Sequence, residues 1–444
     1  MPIDLLLKNA TLADGRTGVD IACADGKITA IEKAIAGEAR RTIDASGRLV
    51  SAPFVDCHFH MDATLSLGLP RLNQSGTLLE GIALWGELKP LLTHEAVKER
   101  ALRYCDLAVS QGLLAIRTHV DICDDRLLAV EALLDVKKTV APYLDLQLVA
   151  FPQDGYYRSP TAALNLDRAL DLGVDIVGGI PHFERTMADG ARSVTALCEI
   201  AARRGLLVDM HCDETDDPNS RHIEMLAHET QRLGLGGRVA GSHLTSMHSM
   251  DNYYVSKLLP LMAEAEVSAI ANPLINIVIQ GRHDTYPKRR GQTRVPELQR
   301  HGITVAFGHD CVMDPWYSLG QADMLEVATM GLHVGHLTSR DDMRFCFQAV
   351  TEAPAEIMHL DGYGIAVGNN ADMVLLQAED PIEAIRLKPP RLAVIRRGKV
   401  ISETPARVAT LDLPGRPARI DPADYAPKAV AQEILAGKPA SLPA

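Results

Sequence analysis

The sequence has no apolar run approaching the roughly 20 residues that a membrane-spanning helix needs. It also has no excess of positive charge, because 45 Lys and Arg face 57 Asp and Glu, a net charge of −12. This balance argues against a nucleic-acid duplex or an anionic membrane as the main partner. The N-terminus lacks a basic segment followed by a long apolar one, so we expect no signal peptide and a cytoplasmic protein.

The eight cysteines are scattered, and none forms a C-x-x-C pair. This pattern favours reduced thiols over a disulfide framework. Internal repeats and low-complexity blocks are also lacking. What remains is an ordinary globular composition, 47% apolar and 23% charged, in 444 residues. That length suits one large catalytic domain plus a smaller one.

Short strand patterns with turns occupy both ends of the chain. Asp25-Gly26 is a hairpin turn between two of them. We therefore predict one small β-sandwich that combines residues 1–52 with residues 359–420. Residues 421–444 are Pro/Ala-rich and predict a tail on the surface or on a neighbouring subunit. The strand patterns lie at residues 4–9, 19–22, 27–31, 371–376 and 394–401.

Residues 53–358 alternate strand-like and helix-like segments, with amphipathic helices at 195–204 and 222–233. Eight such units predict an α/β fold, a (β/α)8 TIM-type barrel with the small β-sandwich domain built from both chain ends. The eight strand candidates are residues 54–55, 113–119, 146–153, 175–179, 206–211, 238–243, 269–272 and 303–308.

Metal-ligating residue types follow several of these strands. His58 and His60 are two residues apart, so in a strand their side chains point the same way. His211, His243 and Asp310 end later strands, in the order expected for ligands at the C-terminal face of a barrel. A single histidine of this kind is usually an ordinary polar residue, but the ordered set favours a metal centre.

Neutral imidazoles with a carboxylate suit Zn²⁺ or Fe²⁺ and leave a position open for water. We predict one divalent metal ion, held by His58, His60, His211 and Asp310. His243 is either a further ligand or a partner of the water that reacts. The sequence leaves the choice between zinc and iron open.

These fragments resemble the amidohydrolase superfamily, metal-dependent barrels with a β-sandwich built from both chain ends. Binuclear members usually supply a carboxylated lysine from strand 4, and residues 177–184 contain no lysine. The resemblance therefore favours a single metal. His182 follows Pro181 beyond this strand, and we interpret it as structural or as supporting the ligands.

A closer resemblance, from about residue 50 to 400, is to bacterial cytosine deaminases. It implies a small pyrimidine base as substrate. The segments that carry it are residues 73–78, 117–121, 150–153, 211–214, 280–291 and 307–317.

Deamination of an aminopyrimidine requires water to attack the ring carbon that bears the amino group. A bound divalent metal eases this step by lowering the pKa of water. Asp310 is placed to accept the proton of the water and pass it toward the departing amine, and His243 can orient the water. The resemblance implies that Glu214 carries a proton to N3 of the base. The alternative for Glu214 is an exposed loop carboxylate.

Three further residues are predicted to bind the base. Gln153 offers an amide donor and acceptor to the pyrimidinone edge, and Leu78 offers backbone hydrogen bonds. Trp316 walls the pocket against the ring, or else only anchors its loop. We interpret His119 and Asp121 as supporting residues.

Cys311 departs from the cytosine deaminase pattern, in which a second Asp usually follows the metal-binding Asp. A cysteine removes that charge and leaves a small, soft surface. Our hypothesis is a preference for 5-methylcytosine, because burying a methyl group there contributes roughly 0.8 kcal/mol. The alternative is a neutral change in a plain cytosine deaminase.

Other functions remain open. The substrate could be a different N-heterocycle, such as isoguanine, creatinine or an s-triazine amine. A non-catalytic scaffold is disfavoured because all predicted ligands are present. The unrelated zinc-dependent base deaminases are excluded, since residues 182–184 match only the H-x-E half of their signature and no Cys follows a Pro. We expect a homo-oligomer assembled through the outer helices of the barrel.

Overall fold

The computed structural model describes residues 2–426, so residues 427–444 of the predicted tail lie outside it. The chain divides into two compact units. One joins the N-terminal stretch through Pro53 with the described residues from Asp361 onward, and the other is Phe54–Leu360. No helix among the described residues is long and apolar enough to cross a membrane.

The strands of the described part fall into three stretches. The N-terminal strands are β1 (Ile3–Leu12), β2 (Val19–Ala24), β3 (Lys27–Glu32), β4 (Ala39–Asp44) and β5 (Leu49–Ser51). The middle strands are β6 (Phe54–Phe59), β7 (Leu113–Asp121), β8 (Asp145–Phe151), β9 (Ile176–Gly179), β10 (Leu207–Cys212), β11 (Val239–His243), β12 (Val267–Ala271) and β13 (Val305–Phe307). The C-terminal strands are β14 (Met373–Leu376), β15 (Arg391–Arg396), β16 (Lys399–Glu403), β17 (Ala409–Thr410) and β18 (Arg419–Ile420).

The helices alternate with the middle strands and continue after them. They are α1 (Leu78–Leu88), α2 (His94–Ser110), α3 (Leu128–Val140), α4 (Ala162–Leu172), α5 (Met187–Arg204), α6 (His222–Leu233), α7 (Asn252–Glu264), α8 (Pro273–Ile279), α9 (Val295–Arg300), α10 (Met324–Gly335), α11 (Arg340–Gln348), α12 (Glu352–Ile357) and α13 (Pro381–Leu387).

Strands β6 to β13 pair in chain order, and every pairing is parallel. A bridge between Phe59 and Asp310 links the two ends of this sheet, which forms a nearly closed barrel. Strands β6 and β7 are buried throughout, as parallel strands covered on both faces are. The predicted (β/α)8 barrel is confirmed.

The helix boundaries follow local capping signals. Helix α6 matches the predicted range, and α5 starts at Met187, earlier than the amphipathic pattern suggested. It starts there because the Thr186 hydroxyl accepts a hydrogen bond from the Asp189 N–H at 3.0 Å. Gly205 ends α5 with a φ of +69°, a conformation that favours glycine.

The terminal unit combines strands from both ends of the chain. Strand β1 pairs antiparallel with β2 and parallel with β4 and β5, and β5 pairs with β14. The predicted hairpin is present, with φ of 50° at Asp25 and 76° at Gly26. A second hairpin at Arg397-Gly398 divides the predicted segment 394–401 into β15 and β16. The core cluster includes Leu5, Leu7, Ile21, Cys23, Val50, Met373, Leu375 and Ile395.

Candidate active site

A cavity of about 510 Å³ opens at the carboxyl ends of the barrel strands. Its volume lies in the range of small-molecule sites, roughly 300–1,000 Å³. His58 is fully buried beside this cavity, with its ring centroid 4.6 Å from that of His211 and 4.8 Å from that of His243. The other predicted site residues line the cavity itself: His60, Leu78, Gln153, His211, Glu214, His243, Asp310, Cys311 and Trp316.

The predicted ligands make direct pairwise contacts. The Nε2 atoms of His60 and His211 are 3.0 Å apart. Asp310 Oδ1 lies 3.4 Å from Nε2 of both His58 and His60. Gly308 permits this closeness, because a Cβ at that position would lie 2.8 Å from Cβ of His58. The last strand can therefore approach the first at the level of the histidines.

Two of the site residues have backbone conformations that are unusual for residues other than glycine. The φ of His243 is 69° and that of Asp310 is 70°. The Asp310 N–H donates to the His58 carbonyl at 2.9 Å, and the His60 N–H donates to the Asp310 carbonyl at 3.0 Å. These bonds hold the turn after β13 against β6, and such local strain is typical of functional sites.

The histidines have the protonation state that metal binding requires. Burial lowers the pKa of His58 and His211 well below the usual value and that of His60 to about 3, so the rings are neutral at neutral pH. Both ring nitrogens of His58 and Nδ1 of His211 find no hydrogen-bond partner among the described residues. Buried polar atoms are normally paired, so these nitrogens fit a site that completes its contacts with a metal ion.

Three overlapping groups within the described residues have ligand atoms close enough to share an ion. Together they contain all four predicted ligands, although none contains all four at once. They add His119, His243 and Glu214, so the donor set is larger than the predicted one. The groups are His58, His60 and His119; His58, His211 and His243; and Glu214, His243 and Asp310.

His243 is held by two side chains at the same ring nitrogen. Its Nδ1 lies 2.9 Å from Asn276 Nδ2 and 3.2 Å from Glu214 Oε1. Its Nε2 lies 3.8 Å from Asp310 Oδ2. Neither Asn276 nor Asn272, which also lies close to the His243 ring, is among the residues predicted from the sequence. The polar residue that ends the strand pattern 269–272 is the signal that could have identified Asn272.

Glu214 is 6% exposed, so it is not a solvated loop carboxylate. Burial, reinforced by the charge of Asp310, raises its pKa well above the usual value. Burial therefore shifts Glu214 toward its neutral form, and that form can donate a proton to a group in the cavity.

A buried ion pair lies inside the barrel below the histidines. Arg117 Nη1 donates to Asp209 Oδ2 at 3.0 Å, and the Ser242 hydroxyl donates to Asp209 Oδ1 at 2.7 Å. His119 Nε2 lies 3.5 Å from the same Oδ1, and the His119 ring is 4.3 Å from that of His58. Sequence reasoning included Arg117 only as part of a motif and did not identify Asp209.

The cavity wall near Cys311 is built from one tight loop. Cys311 is 3% exposed, and burial raises the pKa of its thiol well above the usual value. Asp314 Oδ1 accepts the N–H groups of Trp316 and Tyr317, both at 2.9 Å. The Trp316 ring lies 6.2 Å from the His60 ring, so an aromatic wall faces the predicted ligands.

The remaining predicted residues either line the cavity, as Gln153 and Leu78 do, or lie beside it. Gln153 lies two residues beyond the end of β8 and is 6% exposed. Leu78 is the first residue of α1, whose first-turn N–H groups have no partner within the helix. His182 Nδ1 lies 3.1 Å from the His211 carbonyl, consistent with a supporting position. Asp121 accepts a hydrogen bond from Trp85 Nε1 at 2.8 Å.

The family follows from a comparison of the whole chain. Residues 41–404 match the Amidohydro_3 amidohydrolase family. The chain belongs to the amidohydrolase family. Members of this metal-dependent family are hydrolases that act on carbon–nitrogen bonds, and the histidine and aspartate groups of this amidohydrolase could bind a metal.

Similar proteins include several deaminases. The amidohydrolase is 42% identical to a solved 5-methylcytosine deaminase from Klebsiella pneumoniae liganded with 5-fluorocytosine, with a TM-score of 0.89; the match covers 93% of this chain and 100% of that one. It is 29% identical to an N-isopropylammelide isopropyl amidohydrolase from Pseudomonas sp. (strain ADP), over 91% of this chain and 99% of the relative. It is 28% identical to a pterin deaminase from Rhizobium rhizogenes, over 88% of this chain and 90% of that relative. These similarities support a deaminase or related amidohydrolase of small heterocycles.

Proposed function

We propose that this amidohydrolase removes the amino group of free cytosine-type bases by hydrolysis, and that it prefers 5-methylcytosine, which becomes thymine and ammonia. The observation that carries this proposal is the buried Cys311 directly after Asp310 in the cavity. The 42% identity to a 5-methylcytosine deaminase over nearly the full chain supports the same substrate class.

The cavity offers polar and apolar contacts that suit a pyrimidinone. The Gln153 amide can pair with the ring carbonyl and N1–H, since it carries both a donor and an acceptor. Trp316 lines the cavity and can face the ring. Leu78 places a first-turn N–H of α1 beside the same space. Together these groups would orient the amino-bearing carbon toward Asp310 and His243.

His58, His60, His211 and Asp310 would hold one divalent ion, Zn²⁺ or Fe²⁺, with His243 as a further donor. When bound, such an ion increases the acidity of water and so supplies a nucleophile at neutral pH.

The side chains of the chain itself would move the protons. Glu214, whose pKa is raised by burial, would protonate N3 of the base and make the neighbouring carbon more electrophilic. Asp310 would accept a proton from the attacking water and deliver it to the departing amine, and Glu214 would recover its proton from the resulting hydroxyl as the carbonyl forms. His243, held at Nδ1 by Asn276, would direct its other nitrogen toward that water.

Cys311 would determine the preference between the two bases. A methyl group buried against its uncharged surface contributes roughly 0.8 kcal/mol, about a fourfold preference. A carboxylate at the same position would lose hydration when that methyl group approaches. It would also add a negative charge beside Asp310 and Asp314. Burial already raises the pKa of Asp314 to about 7.

Steady-state kinetics of the metal-loaded enzyme test this proposal. We expect 5-methylcytosine to have a higher kcat/KM than cytosine, and Cys311→Asp to lower that ratio at least about fourfold. Cys311→Ser is the matched control, because it keeps size and neutrality and should preserve the order of the two substrates. A preference for cytosine that Cys311→Asp leaves unchanged would refute the assigned role of Cys311.

The relatives favour a second candidate, another small amino- or alkylamino-substituted heterocycle. The names of two relatives refer to N-isopropylammelide and to pterin, and the cavity volume accommodates such rings as well. The same assay, extended to pterin, s-triazine amines, isoguanine and creatinine with detection of ammonia or amine, separates these substrates. We also propose assembly through the outer helices of the barrel, which light scattering with size-exclusion chromatography tests.

A further inference from the structure

Helix α1 contains two glycines in very different surroundings. Gly81 is buried, and a Cβ added to it would lie 2.6 Å from Nε1 of Trp316 and closer still to Cδ1. Gly86 is exposed on the same helix, and apart from its chain neighbours and the backbone of the helix itself, no described atom lies within 4 Å of its Cβ position. A helical glycine costs roughly 1 kcal/mol relative to alanine. Only at Gly81 does a contact explain that cost.

The contact joins α1 to the wall of the cavity. The indole of Trp316 occupies the space that a side chain at position 81 would fill, and it lies 6.2 Å from the His60 ring. Asn73 Nδ2 donates to both the Thr77 carbonyl and the Pro315 carbonyl at 3.1 Å. These bonds tie the start of the helix to the peptide just before Trp316.

Helix α1 is itself anchored to barrel strand β7. Trp85 Nε1 donates to Asp121 Oδ2 at 2.8 Å, and Lys89 Nζ lies 2.6 Å from the same oxygen. Both donors are at the C-terminal end of α1 or just beyond it, and Asp121 ends strand β7. The Trp85 and Trp316 rings are 6.1 Å apart. Because the helix is held to the barrel, a side chain at Gly81 would displace Trp316 toward the cavity more readily than it would displace the helix.

We propose that Gly81 is a positioning residue for substrate specificity: its missing side chain lets Trp316 lie against α1, and this sets the width of the cavity where the ring binds. The inference rests on the proposed function, because it assigns a flat heterocyclic base to the space that Trp316 borders. It identifies a specificity determinant in a helix where Leu78 was the only predicted site residue.

The test compares Gly81→Ala with Gly86→Ala, each alone and in a Trp316→Leu background. We expect Gly81→Ala to raise KM for the preferred base about tenfold with a smaller change in kcat. Gly86→Ala should leave both constants unchanged. In the Trp316→Leu background, Gly81→Ala should have little further effect on KM, because the clashing ring is gone.

Two readouts do not depend on the substrate. Gly81→Ala should shift the tryptophan emission that Trp316→Leu removes, and Gly86→Ala should not. A double-mutant cycle on thermal stability should show that Gly81→Ala destabilises the protein only when Trp316 is present. If Gly81→Ala fails to fold, folding of the double variant supports the clash with Trp316.

Three results would overturn the proposal. One is that Gly81→Ala behaves like Gly86→Ala in KM and emission. Another is an equal effect of Gly81→Ala with and without Trp316, and the third is a double variant that also fails to fold. An enzyme that deaminates none of the bases would instead refute the proposed function, while the emission and stability measurements would still decide the role of Gly81.

Discussion

At the scale of the residue, burial determines what the site can do. The imidazoles of His58 and His60 are neutral because they are removed from water, and the same burial raises the pKa of Glu214. Burial therefore leaves imidazoles that can bind a cation and a carboxyl group that can donate a proton in the same site. This division of roles follows from the chemistry of each side chain in the same buried site.

Replacing Glu214 tests its role as a proton donor. Glu214→Gln keeps the size of the side chain but has no transferable proton, so we expect kcat to fall by about 10²–10⁴-fold. KM should change little, because the amide can still form a hydrogen bond. The measurement is steady-state kinetics with the best base of the substrate panel.

Glu264→Gln, an exposed carboxylate on α7, is the control for Glu214→Gln and should leave kcat unchanged. A Glu214→Gln variant that retained full kcat would show that the proton reaches the ring by another route.

At the scale of the element, the barrel strands carry two layers of functional and structural side chains. Their carboxyl ends carry the candidate ligands, and one layer deeper Arg117 of β7 meets Asp209 of β10. Arg117 also donates to the Ile357 carbonyl at 2.9 Å and to Gln147 of β8 at 3.2 Å. This layer ties strands on different sides of the barrel together directly below the histidines.

Removing the charge of Asp209 should destabilise the barrel strongly. Asp209→Asn leaves Arg117, which is 1% exposed, without its counter-charge, and breaking a buried pair in this way costs about 3–5 kcal/mol. Urea denaturation measures the free energy of unfolding. Glu199→Gln is the matched control, because it removes a surface pair with Arg232 that contributes about 0–1 kcal/mol. Equal losses in the two variants would contradict this assignment.

At the scale of the whole molecule, the candidate ligands come from β6, β10 and the turn after β13, which are far apart in sequence. An ion that contacts all of them can bind only the folded barrel. Ligands that bind the native state and not the unfolded chain stabilise it by mass action. Metal content and fold stability should therefore be coupled.

Removal of metal should lower the thermal stability of the protein. At free Zn²⁺ or Fe²⁺ 1,000-fold above Kd, we expect about 4 kcal/mol of stabilisation relative to the chelated protein. Calorimetry of the chelated and reconstituted protein, with metal analysis, measures the difference. His58→Gln should lose the metal-dependent increase, whereas His228→Gln, an exposed residue on α6, should keep it. An increase that persists in His58→Gln would contradict the assigned ligand set.

The sequence by itself determined the barrel, because strand periodicity and the polar residue that ends each strand are local properties of the chain. For the same reason it identified His58, His60, His211, His243 and Asp310 as a set, whereas Cys311 stood out only through the resemblance to cytosine deaminases. Only the tertiary structure decided which of these side chains meet and what supports them. Asn276 at His243, Asp209 at Arg117 and Gly81 at Trp316 are contacts between residues 33, 92 and 235 positions apart. Such contacts form because the barrel brings distant segments together, and local sequence patterns do not predict which distant residues will meet.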